Sequence, residues 1–229
     1  MAYGTFDAIE TVIIGIWFLI IGYFLLLFLY FLAFRYRDSK NPFHLGFGLF
    51  FLLLGVARGV FLIWDYYQLL PIWWQLATVV SWLAIFTLFL ALTYQILERQ
   101  FWQVMLISSP PLIIAIFIGV LPSFFWPPSV AGYLTFGYII SNLAILPLYV
   151  IVLPSIFFYI GLQLRGQLRT SNFLLGTGFL IYYGGRVIQS SLAAYLNTII
   201  LYLGDILAPA LVLFAMVLIA IGVLLEEHE

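Results

Sequence analysis

The sequence predicts an all-α integral membrane protein: seven transmembrane helices in a single domain, 1-229, with the amino end outside and the carboxyl end inside. Three observations predict it. Of the 229 residues, 66% are hydrophobic, 20% aromatic and 7% charged, at a mean hydropathy of +1.19, a balance that no ordinary soluble surface carries. Apolar runs long enough for a ~30 Å hydrocarbon layer, which needs about 20 residues, fall near 11-34, 44-66, 71-97, 101-121, 131-162, 172-196 and 200-225. The cations then segregate. Arg35, Arg37, Lys40, Arg99, Arg165 and Arg169 all follow an odd number of crossings, and no Lys or Arg lies in a loop of the other side. Because cytoplasmic loops retain Lys and Arg, that side is the inside.

The first run is expected to persist as a helix rather than be cleaved, since Asp7 and Glu10 make its lead-in acidic and the run is too long for a signal peptide. The breaks that follow are short and chemically distinct. Arg35 to Pro42 ends the first run, Gln68 to Pro71 the second, Glu98 to Gln100 the third, and Pro122 to Ser129 the fourth. Arg165 to Arg169 and Asn197-Thr198 separate the last three. None could hold a second domain. Opposite the cations stand Tyr66, Tyr67, Trp73, Trp74, Phe124, Phe125 and Trp126, the aromatic belt expected where rings meet headgroups.

An offset of 128 residues overlays the first three runs on the last three, pairing Arg37 with Arg165, Gly48 with Gly176, Phe51 with Phe179, Arg58 with Arg186 and Glu98 with Glu226. The charged pairs carry the weight, because Leu and Phe coincide by chance in so apolar a chain. The expected organisation is 3+1+3, with parallel pseudo-repeats of about 7-100 and 131-229 and a linker helix of about 101-121.

Arginines inside such runs need explaining, since each costs at least ~3 kcal/mol unless it finds a partner or water. Arg186 lies about 21 Å above Asn172 at 1.5 Å per residue, and Asp205 about 7.5 Å below Ile200. In a ~30 Å layer these levels coincide, so a salt bridge between adjacent helices is the default expectation. Arg58 stands at the equivalent level of the second run, but Ala77 replaces the carboxylate. Asp65 lies on the same helical face, about 10.5 Å higher, which makes a long reach for a direct pair. Gln75, Ser81, Asn142, an upward route for the side chain or a bound anion could each serve Arg58. The expected ligand-binding residues are therefore Arg58, Arg186, Asp205, Asn142 and Gln75.

Pro147 and Pro154 in the long fifth run remove backbone donors and suit a kinked helix beside a cavity or simple packing. Glycines at 46, 48, 55 and 59, and at 176, 178, 184 and 185, permit close helix approach. Catalysis finds little support: there is no paired-carboxylate site, no metal cluster and no nucleophile with a base, and His44 and His228 lie at inner boundaries. With no cysteine, disulfides are excluded. No cofactor, metal or enzymatic activity is expected, and the formal net charge of -1 offers no basic field for nucleic acid. The expected partners are the lipid bilayer and a membrane or cytoplasmic protein that carries any signal onward.

Seven helices, an outside amino end and 3+1+3 halves resemble two families, the rhodopsin-like and receptor-like seven-helix proteins and the sugar transporters of the SWEET and PQ-loop group. The last helix, from Asp205 to Leu225, has no Schiff-base lysine, and no Pro-Gln motif occurs. The stretch Leu45 to Glu98, with Trp64, Trp73, Trp74 and Tyr94, resembles the seven-helix sensory input domains that precede histidine kinases. These resemblances imply a receptor-like or sensory module in the cell membrane that binds a small or lipophilic ligand in its outer half. The alternatives are a small-solute transporter and a structural subunit of a larger membrane complex.

Overall fold

The computed structural model describes residues 8–67, 70–96, 100–188 and 198–225, with all side chains in these ranges except those of 8–9, 95–96, 101, 129, 187–188 and 198–206. Among the described residues there are helices and turns but no strand. The chain forms two compact units, Met1–Phe124 and Phe125–Glu229.

In the first unit, α1 (Ala8–Tyr30) runs through a π turn, Phe31–Tyr36, into a last turn, Arg37–Ser39. It stops because Lys40 turns left-handed at φ 54° and Asn41 is extended, its side chain accepting the Phe43 N–H at 2.9 Å. That cap, with Pro42 in the first turn where no amide donor is needed, starts α2 (Pro42–Leu62). A π turn, Ile63–Tyr67, closes α2. Helix α3 (Pro71–Ala91) also opens on a proline and closes on a π turn, Leu92–Ile96, while α4 (Phe101–Val120) carries Pro110 and Pro111 inside it. Helix α2 packs on both α1 and α3, and α4 packs along α3. The fourth helix, expected as a linker, thus adds a layer to the first unit. The core is aromatic: Trp17, Phe24, Phe47, Phe50, Phe51 and Phe89 are essentially sealed from solvent.

The second unit begins with short turns, Pro122–Phe125 reaching its border and Pro128–Ala131 inside it. Thr135 then caps Phe136–Tyr138, and a seven-residue π segment, Ile139–Ile145, leads into α5 (Leu146–Gln163). Pro147 explains the widened segment, because it cannot donate to the carbonyl one turn earlier and the backbone must regroup its bonds. Helix α6 (Gly166–Ile188) lies between α5 and α7 (Thr198–Leu225).

Among the described residues, six stretches are long and apolar enough to cross a membrane: Glu10–Ser39, Pro42–Tyr67, Pro71–Tyr94, Trp102–Val120, Phe136–Gln163 and Leu207–Leu225. The protein is therefore a helical, multi-pass membrane protein. Its outward side chains are as apolar as its core, with Phe18, Leu26, Leu106 and Leu162 all more than half exposed. Helix α6, which supplies the remaining expected span, is 23 residues long but diluted by Thr170, Ser171, Asn172 and Thr177, and is not among the six.

The two units bury their middle helices in the same phase. Phe47, Gly48, Phe50, Phe51, Leu54, Gly55 and Ala57 are buried on α2, and the residue 128 positions after each is buried on α6. The crossings agree only in part. A Cβ on Gly46 would meet Ala91 Cβ and Thr87 O of α3, and one on Gly178 would meet Ile219 Cγ1 and Ala215 O of α7. The α3 and α7 residues keep the 128-residue offset, but Gly178 lies one turn beyond the position equivalent to Gly46, which is Leu174. Phe51 stacks on Phe24 of α1 and on Phe31 of the π turn that follows it, and Phe179 on Phe157 of α5. The offset does not extend to the first helix of each unit, since Phe24 is buried and Val152 is exposed. Helix α1 ends in a π turn that the corresponding end of α5 lacks.

Candidate functional site

Close packing of α1 on α2 builds the site in the first unit. A Cβ on Gly48 would stand 3.2 Å from Phe31 Cβ, and one on Gly55 would stand 3.4 Å from Phe24 Cβ. Each contact is seven residues from the other along both antiparallel helices, the step that keeps an apolar seam facing its partner. One further step along α1 is Trp17, and it arrives beside the last turns of α2. There the Arg58 guanidinium lies flat over the indole, 3.4 Å from the ring centroid. Arg58 is 4% exposed and Trp17 1%, so the contact is desolvated and is worth about 2 kcal/mol.

Arg58 Nη1 also reaches Asp65 Oδ2 at 3.4 Å, with the carboxylate side chain 30% exposed. This corrects the expectation that Asp65 was too far for a direct pair. The ~10.5 Å rise holds for backbone positions on a straight α-helix, but the arginine stem runs along the helix toward its carboxyl end. Asp65 in turn belongs to the π turn Ile63–Tyr67, where the extra residue per turn redirects the side chains. Of the routes open to Arg58, the upward one is realised. A second correction follows, that Arg58 is not a cation lacking a nearby carboxylate.

Gln75 and Ser81, the two polar residues of the first unit expected as partners of Arg58, are engaged elsewhere. Gln75 Nε2 donates to Ile118 O at 3.2 Å and Gly119 O at 3.0 Å, clamping the start of α3 to the end of α4. Ser81 Oγ donates to Ala77 O within its own helix at 2.8 Å. His44 Nδ1 is hydrogen-bonded with Ser39 Oγ at 2.8 Å.

In the second unit, Asn142 lies in the π segment before α5, where its Nδ2 donates to Ser141 Oγ at 2.9 Å and to Tyr138 O at 3.4 Å. Arg186 is half-buried near the end of α6. Just before it, a Cβ on Gly185 would stand 3.2 Å from Ala208 O, a backbone carbonyl of α7, so α6 and α7 approach closely at this level. The Asp205 side chain, and with it the expected Arg186–Asp205 pair, lies outside the described residues. The five expected ligand residues therefore divide: Arg58 and Gln75 stand in the first unit, and Arg186, Asp205 and Asn142 in the second.

Trp17 is the residue that the sequence reading missed. Its signal was present: tryptophan favours the membrane interface, yet this one stands mid-run, ten residues into α1. Its Nε1 is buried without a hydrogen-bond partner, as is the hydroxyl of Tyr183 on α6. A buried donor left unmet costs about 1–3 kcal/mol. Among the described residues no group of His, Cys, Asp and Glu could hold a metal ion.

The chain matches no family model, no curated protein and no solved structure.

Proposed function

We propose that the protein is a seven-span, receptor-like or sensory membrane module of the cell membrane, amino end outside, that binds a small or lipophilic ligand in the outer half of its helices and signals through a partner protein. The observation that carries this reading is the Trp17–Arg58–Asp65 cluster, in which a buried ring and guanidinium meet a partly exposed carboxylate. Ionisable groups inside a span are expensive and persist where a function needs them. Seven crossings, with α6 as the sixth, leave Arg35, Arg37, Lys40, Arg165 and Arg169 on one side, which supports the orientation. The test is to purify the protein in mild detergent and analyse co-purifying small molecules by mass spectrometry. A compound retained by the wild type and lost from Asp65→Asn supports the reading, whereas identical profiles overturn it.

The shared burial phase of α2 and α6 supports a second reading, a small-solute transporter built from duplicated 3+1+3 halves. Solute flux in proteoliposomes, abolished by Arg58→Gln, is the outcome that favours transport over sensing.

A further inference from the structure

Among the described residues three aromatic donors, Trp17 Nε1, Trp126 Nε1 and the Tyr183 hydroxyl, are buried without an acceptor, and one of them in each unit stands next to an arginine of the 128-residue pair. In the first unit it is Trp17 Nε1–H, whose own ring carries the Arg58 guanidinium. In the second it is the hydroxyl of Tyr183, three residues before Arg186 and hence one turn away on the same helix. Buried donors in folded proteins are almost always met, and two unmet ones beside paired arginines point to a shared cause.

We propose that Trp17 Nε1–H and the Tyr183 hydroxyl are the anchoring donors of two separate sites, each accepting the neutral carbonyl oxygen of a lipophilic ligand. This rests on, and deepens, the ligand-binding reading given above. The donor set selects the chemistry, because an indole N–H donates and never accepts, so the ligand must present an acceptor. Charge selects further in the first unit. Arg58 is already paired with Asp65, the cluster has no net charge, and a carboxylate ligand would meet the Asp65 charge without gaining a free cation field. The surroundings select the rest: Trp17 lies among residues as apolar as Ile13, Ile14 and Ile20 on its own helix, which suit a hydrocarbon body rather than a sugar or a nucleotide.

Protein carrying nitrogen-labelled tryptophan displays an indole signal for each of its seven tryptophans, and the one missing from Trp17→Phe identifies Trp17. Titration with 2-undecanone in detergent is expected to move that signal downfield and saturably, while undecane leaves it in place. Equal movement with both, or none with the ketone, overturns the proposal, and a signal already at a hydrogen-bonded position that no probe moves means a buried water and overturns it too. Movement with undecanoate but not the ketone overturns the neutral-acceptor assignment and leaves a ligand site standing, which separates the two failures. Should Trp17→Phe fail to fold, the ring-carbon signal of Tyr183, identified with Tyr183→Phe, gives the same readout in the second unit.

Discussion

Arg58 and Asp65, two turns apart on one helix, close a salt bridge of 3.4 Å inside an apolar span, and the same guanidinium rests on the Trp17 ring. Two unlike interactions thus compensate one buried cation. The carboxylate balances its charge, and the indole face replaces water on one flat side of the guanidinium, which stacks on aromatic rings where an ammonium would not.

This geometry predicts coupling. Asp65→Asn leaves the Arg58 charge buried, and breaking a fully buried pair typically costs about 3–5 kcal/mol. Asp65 is 30% exposed, so solvent screening reduces the expected loss to about 1–2 kcal/mol. Arg58→Gln should cost at least as much, because it also removes the contact with Trp17. The double variant Arg58→Gln with Asp65→Asn should recover about 1 kcal/mol relative to the sum of the singles in detergent melts. Additivity within about 0.5 kcal/mol would mean that the pair contributes nothing.

Two glycines of α6 should respond oppositely to alanine. A Cβ on Gly178 would lie 2.6 Å from Ile219 Cγ1 and 3.1 Å from Ala215 O, whereas one on Gly184 would meet nothing within 4 Å. Gly178→Ala must push α7 away and should cost about 1–3 kcal/mol. Gly184→Ala should gain up to about 1 kcal/mol from helix propensity alone. Thermal melts of the two variants give the answer, and equal shifts would show that α6 and α7 do not approach closely at Gly178.

Much of this architecture was legible in the sequence because it follows from one-dimensional patterns. Run length marks the spans, and Asn41-Pro42 and Leu70-Pro71 mark helix starts. The Arg58–Asp65 pair was misjudged because the depth argument treats a helix as a straight rod. The π turns that end α1, α2 and α3 leave no composition signature, so the redirected Asp65 could not be foreseen. Trp17 escaped for a different reason. Which face of α1 meets Arg58 depends on the Phe31–Gly48 and Phe24–Gly55 contacts, and their register emerges only when two helices pack. Gln75 shows the reverse error: a polar residue near a buried cation reads as its partner, yet the carbonyls at the end of α4 claim it first.

The cation asymmetry predicts membrane sidedness directly. Single cysteines at Ser39, in the turn that ends α1, or Gln167, in the first turn of α6, should react with an impermeant thiol reagent only from the cytoplasmic face. One at Ser123, after α4, should react only from outside. The chain has no cysteine of its own to interfere. Labelling of Ser123 and Gln167 from the same face would require an even number of crossings between them, and the seven-span arrangement would fall.

The last prediction separates the ring of Trp17 from its N–H. Trp17→Leu removes the aromatic face beneath Arg58 and leaves a void in a sealed position, and large-to-small changes at buried aromatics cost about 3–5 kcal/mol. Trp17→Phe keeps a ring for the guanidinium to rest on and deletes the unmet Nε1 donor, whose burial costs about 1–3 kcal/mol. The relief should offset most of the lost volume, so Trp17→Phe is expected to melt within about 1 kcal/mol of the wild type while Trp17→Leu falls by about 3 kcal/mol. Repeating both in the Arg58→Gln background isolates the cation: without it the gap between Phe and Leu should shrink by about 1–2 kcal/mol, the share due to the cation resting on the ring. An undiminished gap would mean that Trp17 acts through volume alone and that the contact between ring and guanidinium does not stabilise the fold.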